Sequence, residues 1–243
     1  MSATRQRPTG LDWLDLARAG NFPSVASNVL AAFVLSARGA DFEPNLVAGA
    51  LLGGALAYAG GATLNDVADH TFDAQHRPER ALPRGAVSRR AAAIVGAVEL
   101  LAGAAVLVAF GAHWAGATSL VALVALYNWL HKRWAGAVAL IAGCRAALAL
   151  TVATLPGHHL APGLLLWVAA LWCYIVVLSV LARREYRPRA AAARLAHVVR
   201  WLLAGIPLVD ATALLVLGAW PWALVCAAMI PLGRGAQRLL AAD

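Results

Sequence analysis

The sequence is short of charge. Of its 243 residues only 20 are basic and 12 acidic. At 13% charged, against about 25% in an ordinary soluble domain, it cannot cover a soluble surface of this size with polar groups. Its 61% content of hydrophobic residues excludes intrinsic disorder as well. Cysteine is scarce: Cys144, Cys173 and Cys226 lie in apolar runs, with no C-x-x-C pair and no zinc spacing. They support neither a disulfide framework nor a metal centre and read as small buried thiols. The N-terminal stretch lacks an apolar core before residue 20, so it does not read as a cleavable signal peptide.

Asp, Glu, Lys and Arg are absent altogether from 19–37, 44–65, 100–131, 146–182 and 211–233. A helix needs about 20 apolar residues to cross a bilayer core, so these runs mark a polytopic membrane protein. Turn signals at Gly111-Ala-His-Trp114 and across Leu155 to Pro162 divide the longer runs. Eight spans are expected, at roughly 20–37, 44–64, 89–110, 114–131, 135–155, 161–182, 195–218 and 220–239. The runs are continuous and rich in Ala and Leu rather than alternating, which favours helices over a β-barrel. The expected fold is thus all-α, one integral membrane domain over residues 1–243.

Charge placement tests the topology. With the N-terminus inside, 17 of the 20 basic residues fall on inner segments: the N-terminal tail, 65–90, 131–134, 183–194 and the C-terminal tail. That is a strong positive-inside pattern, with both termini cytoplasmic, in a bacterial-type plasma membrane. It also accounts for the net charge of +8 without nucleic acid as a partner. The two most charged inner loops, 65–90 and 183–194, follow spans 2 and 6. A four-plus-four arrangement sets them facing each other over a shared cavity. The tryptophans sit mostly near span ends, including Trp114, Trp129, Trp134, Trp220 and Trp222, as interfacial anchors do.

The most informative stretch is Asn65-Asp66-x-x-Asp69-x-x-x-Asp73. At 100° per residue the three carboxylates fall within about 60° of one another on a helix. Two readings fit: a solvated polar helix end, or a site where a divalent cation offsets the mutual repulsion. Hard oxygen ligands suit Mg²⁺, which is commonly shared with substrate phosphates. Asn65 adds a neutral oxygen, and Arg77, Arg80 and Arg84 follow as cations suited to phosphate.

This stretch, continued by Arg80-Ala-Leu-Pro-Arg-Gly85, resembles the first aspartate-rich motif of the UbiA superfamily of intramembrane prenyltransferases. The family pattern is N-D-x-x-D-x-x-x-D followed by R-P-[LI]-P-x-G, and Ala81 stands where a proline is usual. Arg18-Ala-Gly-Asn21 resembles the family's opening R-x-x-N, and Tyr127 with Lys132-Arg133 its element at the inner end of span 4. The resemblance implies a helical bundle around a cavity open to the cytoplasmic face. It also implies Mg²⁺-dependent transfer of a prenyl group from a polyprenyl diphosphate to an aromatic or other lipophilic acceptor. By resemblance, Asn65, Asp66, Asp69 and Asp73 hold Mg²⁺, Arg77, Arg80 and Lys132 contact the diphosphate, Tyr127 faces the cation or the leaving group, and Asn21 lines the cavity.

The chain departs from that pattern after span 6. The second aspartate-rich motif is replaced by a stretch from Leu178 to Arg189 with one carboxylate, Glu185, and four arginines. Arg184 and Glu185 are the candidate substrate ligands there. This stretch and Gly143-x-Arg145 resemble the EboC-like branch of the superfamily. Eight spans also stand where the family usually has nine. A second reading follows: a non-catalytic carrier or assembly component that binds a prenylated or diphosphorylated lipid. Arg145 within span 5 faces either a cavity ligand such as diphosphate or a buried acid. Glu99 and Asp210 are expected in bundle-interior hydrogen bonds, and His158 and His159 in a solvated outer turn.

Overall fold

A computed structural model describes residues 8–37, 43–185 and 192–240. Among them the chain is helical, with one isolated bridge, Ala37 to His158, as its only β pairing. The helices are α1 (Gly10–Leu16), α2 (Phe22–Ser36), α3 (Pro44–His76), α4 (Arg89–Ala109), α5 (Trp114–Leu130), α6 (Ala137–Val152), α7 (Pro162–Glu185), α8 (Ala192–Ala204), α9 (Ile206–Val216) and α10 (Trp220–Leu239). A short 3₁₀ turn, Ala19–Asn21, joins α1 to α2. Five segments are long and apolar enough to cross a membrane: Ala19–Ser36, Pro44–His76, Arg89–Ala109, Pro162–Arg183 and Leu195–Val216. Helices α5 and α6 are shorter and apolar.

Consecutive helices pack side by side from α3 to α10, and α10 returns to α2, which closes on α3. Helix α2 also touches α6, α7 and α9, so it runs through the middle. The polarity is the reverse of a soluble bundle. Leu166 and Val216 are 74% and 78% exposed, while Ser27, Asn28, Thr151 and Asp210 are buried. Outward apolar side chains face lipid without cost, whereas inward polar groups must find partners. Trp114, Trp129, Trp134 and Trp220 are exposed at helix ends as expected, while Trp222 packs partly against the core. Cys226 is buried and Cys144 half-buried, but Cys173 is exposed on α7, contrary to the expectation of three buried thiols.

Four features differ from the spans read off the sequence. The motif residues are not loop: α3 continues unbroken to His76, so the connection shrinks to 77–88. Span 7 is two helices. Gly205 and Pro207 break it, because proline supplies no N–H to the preceding turn, and Tyr174 Oη donates to the carbonyl of Leu202 at 2.9 Å. A further helix, α1, precedes span 1, started by a capping box between Thr9 and Asp12. Its Leu16 packs on Ala81, Leu82 and Val87 of the 77–88 connection. Finally, His158 and His159 do more than occupy a solvated turn. Their Nδ1 atoms lie 2.8 Å from Ser36 Oγ and Ser36 O, and the His158 ring packs at a 58° tilt against Phe33, centroids 4.2 Å apart, holding the end of α2.

Asp210 makes interior hydrogen bonds, as expected. Asp210 accepts from Ser27 Oγ (2.6 Å), Asn28 Nδ2 (2.7 Å) and Trp167 Nε1 (3.0 Å). Glu99 is half-buried on α4, and its Oε2 has no hydrogen-bond partner. Arg145 donates to Asn28 Oδ1 (2.5 Å) and to the carbonyl and hydroxyl of Ser24 (3.2 and 3.0 Å). Asn28 therefore links the guanidinium to the Asp210 carboxylate, across α6, α2 and α9.

Candidate active site

Helix α3 makes the site. Its 33 residues extend about 50 Å at 1.5 Å per residue, well beyond a hydrocarbon core of about 30 Å. Its last turns therefore carry Asn65, Asp66, Asp69 and Asp73 past the apolar part of the bundle on one rigid rod. Each carboxylate meets a cation from another element. Arg18 Nη2 stands 2.7 Å from Asp66 Oδ1. Arg80 Nη1 stands 3.6 Å from the same oxygen and 2.9 Å from Asp73 Oδ2. His131 Nε2 and Lys132 Nζ stand 2.7 and 3.0 Å from Asp69 Oδ1. Lys132 also lies over the Phe72 ring, 3.9 Å from its centroid.

A cavity of about 640 Å³ opens beneath this cluster. Asn21, Asn65, Asp69, Asp73, Arg77, Arg80, Tyr127, His131 and Lys132 line it at the charged end. Ala57, Leu120, Val124, Val138, Ile141 and Leu148 form apolar walls, and Arg145 and Tyr58 add a polar patch. Tyr58 takes a hydrogen bond from Asn21 Nδ2 (3.1 Å), and Asn21 Oδ1 accepts from Gln237 of α10 (3.2 Å). The end of α7 contributes Leu178, Ser179, Ala182 and Arg183. Of the two loops expected to face each other, 65–90 supplies the cavity's charged end, whereas 183–194 is represented only by Arg183, most of it lying outside the described residues. Arg183 caps the α5–α6 connection through the carbonyls of Ala135 and His131. Arg184 and Glu185 end α7, and their side chains, like residues 186–191, lie outside the described part.

The structure therefore gathers Asn21, Asn65, Asp69, Asp73, Arg77, Arg80, Tyr127, Lys132 and Arg145 around one cavity. Asp66 differs. It shares the helix face, but it lines a smaller adjoining recess instead. Two residues with no role assigned from the sequence belong to the site. Arg18 was visible in its R-x-x-N motif, but nothing local showed that it pairs with Asp66. It is held at φ 52°, a region costly for a non-glycine residue. His131 lies one turn beyond Tyr127, and that spacing was the available signal.

The donor set fits a hard cation. Asp66, Asp69, Asp73 and Asn65 present oxygens from successive turns, and Asn65 Nδ2, a donor, is buried without a hydrogen-bond partner, leaving it for an acceptor such as a phosphate oxygen. Among the described residues no three His, Cys, Asp or Glu close into a cage of their own. Mg²⁺ keeps waters and completes its shell with phosphate oxygens, so it does not require such a cage.

Fold and site together define an integral membrane helical bundle with an oxygen-lined, cation-flanked mouth above an apolar chamber. The chain belongs to the UbiA prenyltransferase family, whose model matches residues 25–243. It is 41% identical over 102 residues to a digeranylgeranylglyceryl phosphate synthase of Halobacterium salinarum, covering 42% of this chain and 36% of that one. It is 60% identical over 37 residues to the synthase of the same name from Thermococcus kodakarensis, covering 15% of this chain and 13% of that one. The matched stretch thus spans about a third of the first relative's length. In fold it is similar to a solved structure of digeranylgeranylglyceryl phosphate synthase, with TM-score 0.62 and 14% identity over 93% of this chain and 94% of that one. It is likewise similar to a UbiA homologue from Archaeoglobus fulgidus bound to DMAPP and Mg²⁺, with TM-score 0.61 and 14% identity over 94% and 100%.

Proposed function

We propose that this protein transfers a prenyl group from a polyprenyl diphosphate to an aromatic or other lipophilic acceptor within the membrane. One observation carries the reading: Asn65, Asp69 and Asp73, with Asp66 on the same face beside them, stand on one rigid helix at the charged end of a cavity whose remaining walls are mostly apolar. The relatives' names and the DMAPP and Mg²⁺ bound by the A. fulgidus homologue support it.

Asn65, Asp66, Asp69 and Asp73 would hold Mg²⁺, which supplies neutralisation of charge on the departing diphosphate. Arg80 and Lys132 already stand at the carboxylates and, with Arg77 of the same cavity lining, would turn to the diphosphate oxygens when it binds, an electrostatic contribution. Arg184 and Glu185 would approach the same group from the end of α7. Tyr127 and the apolar walls face the allylic carbon and keep water from it. Asn21, held by Tyr58 and Gln237, and Arg145 border the space left for the acceptor. The positive-inside pattern supports a cytoplasmic position for this charged end and both termini at a plasma membrane, with residues 1–243 read as one membrane domain.

The test is reconstitution in lipid with Mg²⁺ and prenyl diphosphates of several lengths, measuring diphosphate release with and without an acceptor panel. Release is expected to need Mg²⁺ and to drop by about 100-fold or more in Asp66→Ala and Asp69→Ala. No release above those variants, with the lipid diphosphate still bound, would identify a carrier instead.

A further inference from the structure

The large cavity closes with distance from its charged end. On α3 the lining residues Asn65, Gly61 and Tyr58 are half-buried, and Ala57, furthest from the carboxylates, is buried. On α6 Val138, Ile141 and Cys144 are half-buried, and Leu148 is buried. Helix α5 repeats the pattern, from half-buried Tyr127 to buried Val124 and Leu120. Past Ala57 the helices leave no room for a continuation: a Cβ on Gly54 would meet Val29 at 2.9 Å and Leu148 at 3.5 Å. Ala57, Leu120 and Leu148 therefore form a floor, with Val29 of α2 packed behind it.

Helix geometry sets the depth to that floor. Asp69 to Ala57 is twelve residues and Val138 to Leu148 ten, or about 18 and 15 Å at 1.5 Å per residue. An isoprene unit places four carbons along its chain, which at about 1.5 Å per C–C bond extend about 5 Å. With diphosphate taking the first few ångströms at the carboxylates, about three units fit and a fourth meets the floor. We infer that this floor fixes the donor as a prenyl diphosphate of about three isoprene units, with Leu120 and Leu148 as the residues that set the limit. The inference deepens the prenyl-transfer reading above and rests on it. A tail that exchanges lipid for an apolar wall gains little, because lipid is as apolar as leucine. Length is then selected by the penalty for overfilling a closed, well-packed end.

The experiment uses the full chain in phosphatidylcholine nanodiscs with Mg²⁺ and three probes: geranyl, farnesyl and geranylgeranyl S-thiolodiphosphate, of two, three and four units. Affinities are measured calorimetrically and expressed per mole of disc lipid, so that partitioning of the tail drops out. The geranyl and farnesyl analogues are expected within about threefold of each other. The geranylgeranyl analogue should bind at least about tenfold more weakly than farnesyl. In Leu120→Ala/Leu148→Ala that step should shrink below about threefold, since the vacated volume takes one more unit. Val124 lies one turn nearer the charged end than Leu120. In Val124→Phe the step should move down a unit, leaving farnesyl at least about tenfold weaker than geranyl. Each readout is a ratio within one variant, and the two variants move the limit in opposite directions, so loss of folded protein imitates neither. Equal affinity for all three lengths in the wild type, or ratios unmoved by both variants, overturns the inference and leaves prenyl transfer standing, because the tail then passes between helices into lipid. If no analogue of any length binds, the prenyl-diphosphate reading falls and the length limit with it.

Discussion

His131 shows how a residue gains meaning from the fold. Nε2 stands 2.7 Å from Asp69 Oδ1, and Nδ1 lies 3.2 and 3.1 Å from the carbonyls of Tyr127 and Asn128. The ring is fixed by its own helix and in turn fixes Asp69. Removal of a partner that orients a metal ligand costs about 10–100-fold in metal affinity or activity. His131→Ala is therefore expected to weaken Mg²⁺ binding by about tenfold, measured by titration of the protein without prenyl substrate. Arg145 calls for a different outcome. It satisfies Asn28 and Ser24 and, through Asn28, faces the buried Asp210. Arg145→Ala leaves those groups unanswered, so we expect destabilisation of about 3 kcal/mol or more, read from unfolding in mixed detergent micelles. Arg145→Lys should recover part of it. The aspartate cluster was legible in the sequence because helical spacing is local. Its partners were not: Arg18 and Asp66 are 48 residues apart, and His131 and Asp69 are 62 apart.

Helices α3 and α4 meet backbone to backbone. A Cβ on Gly60 would sit 2.3 Å from Leu100 N and 2.5 Å from Gly96 O, and one on Gly103 would sit 2.4 Å from Ala57 N. Close approach through small residues is how membrane helices associate without a hydrophobic driving force. Helix α4 thereby braces the rod that carries the aspartates. Gly60→Ala or Gly103→Ala forces the pair apart, at a cost of about 1–3 kcal/mol for an overpacked contact, visible as a lower Tm in detergent. At the opposite end, burial lowers the pKa of His158, with a further push from His159. The folded state holds His158 neutral, while the unfolded chain takes its proton near the ordinary value of about 6.5. This stabilisation is present above that pH and is lost as pH falls below it. Tm should drop between about pH 7.5 and 5, and His158→Phe should flatten that drop. Five of the eight expected spans recur as helices long and apolar enough to cross a membrane among the described residues, because apolar runs of this length have few alternatives. The Gly205–Pro207 break was present in the letters, but a hydropathy run passes over it. The run of α3 to His76 was hidden because its last turns are polar and look like loop.

At the scale of the molecule the site is a junction of four segments. The turn before α2 supplies Arg18, the 77–88 connection Arg80, the end of α5 His131 and Lys132, and α3 the carboxylates they pair with. A divalent cation arriving alone competes with Arg18, Arg80 and Lys132 for Asp66, Asp69 and Asp73. A diphosphate arriving alone meets cations already engaged and carboxylates that repel it. Arriving together, each takes up the partners the other displaces, so carboxylates turn to metal while Arg80 and Lys132 turn to phosphate. Binding should therefore be cooperative, and linkage makes the effect reciprocal, with a typical coupling of about 1–3 kcal/mol, or 5–150-fold. The Kd of geranyl S-thiolodiphosphate is expected to fall at least about fivefold when Mg²⁺ is saturating. The Tm gain with both ligands should exceed the sum of the gains with each. Arg80→Ala gives the sharpest check, because Arg80 engages both Asp66 and Asp73. Without it, Mg²⁺ alone should bind more tightly, the analogue alone more weakly, and the coupling should shrink. Equal coupling in the wild type and Arg80→Ala would mean that the ion pairs at the mouth are bystanders, not the element through which metal and substrate sense each other.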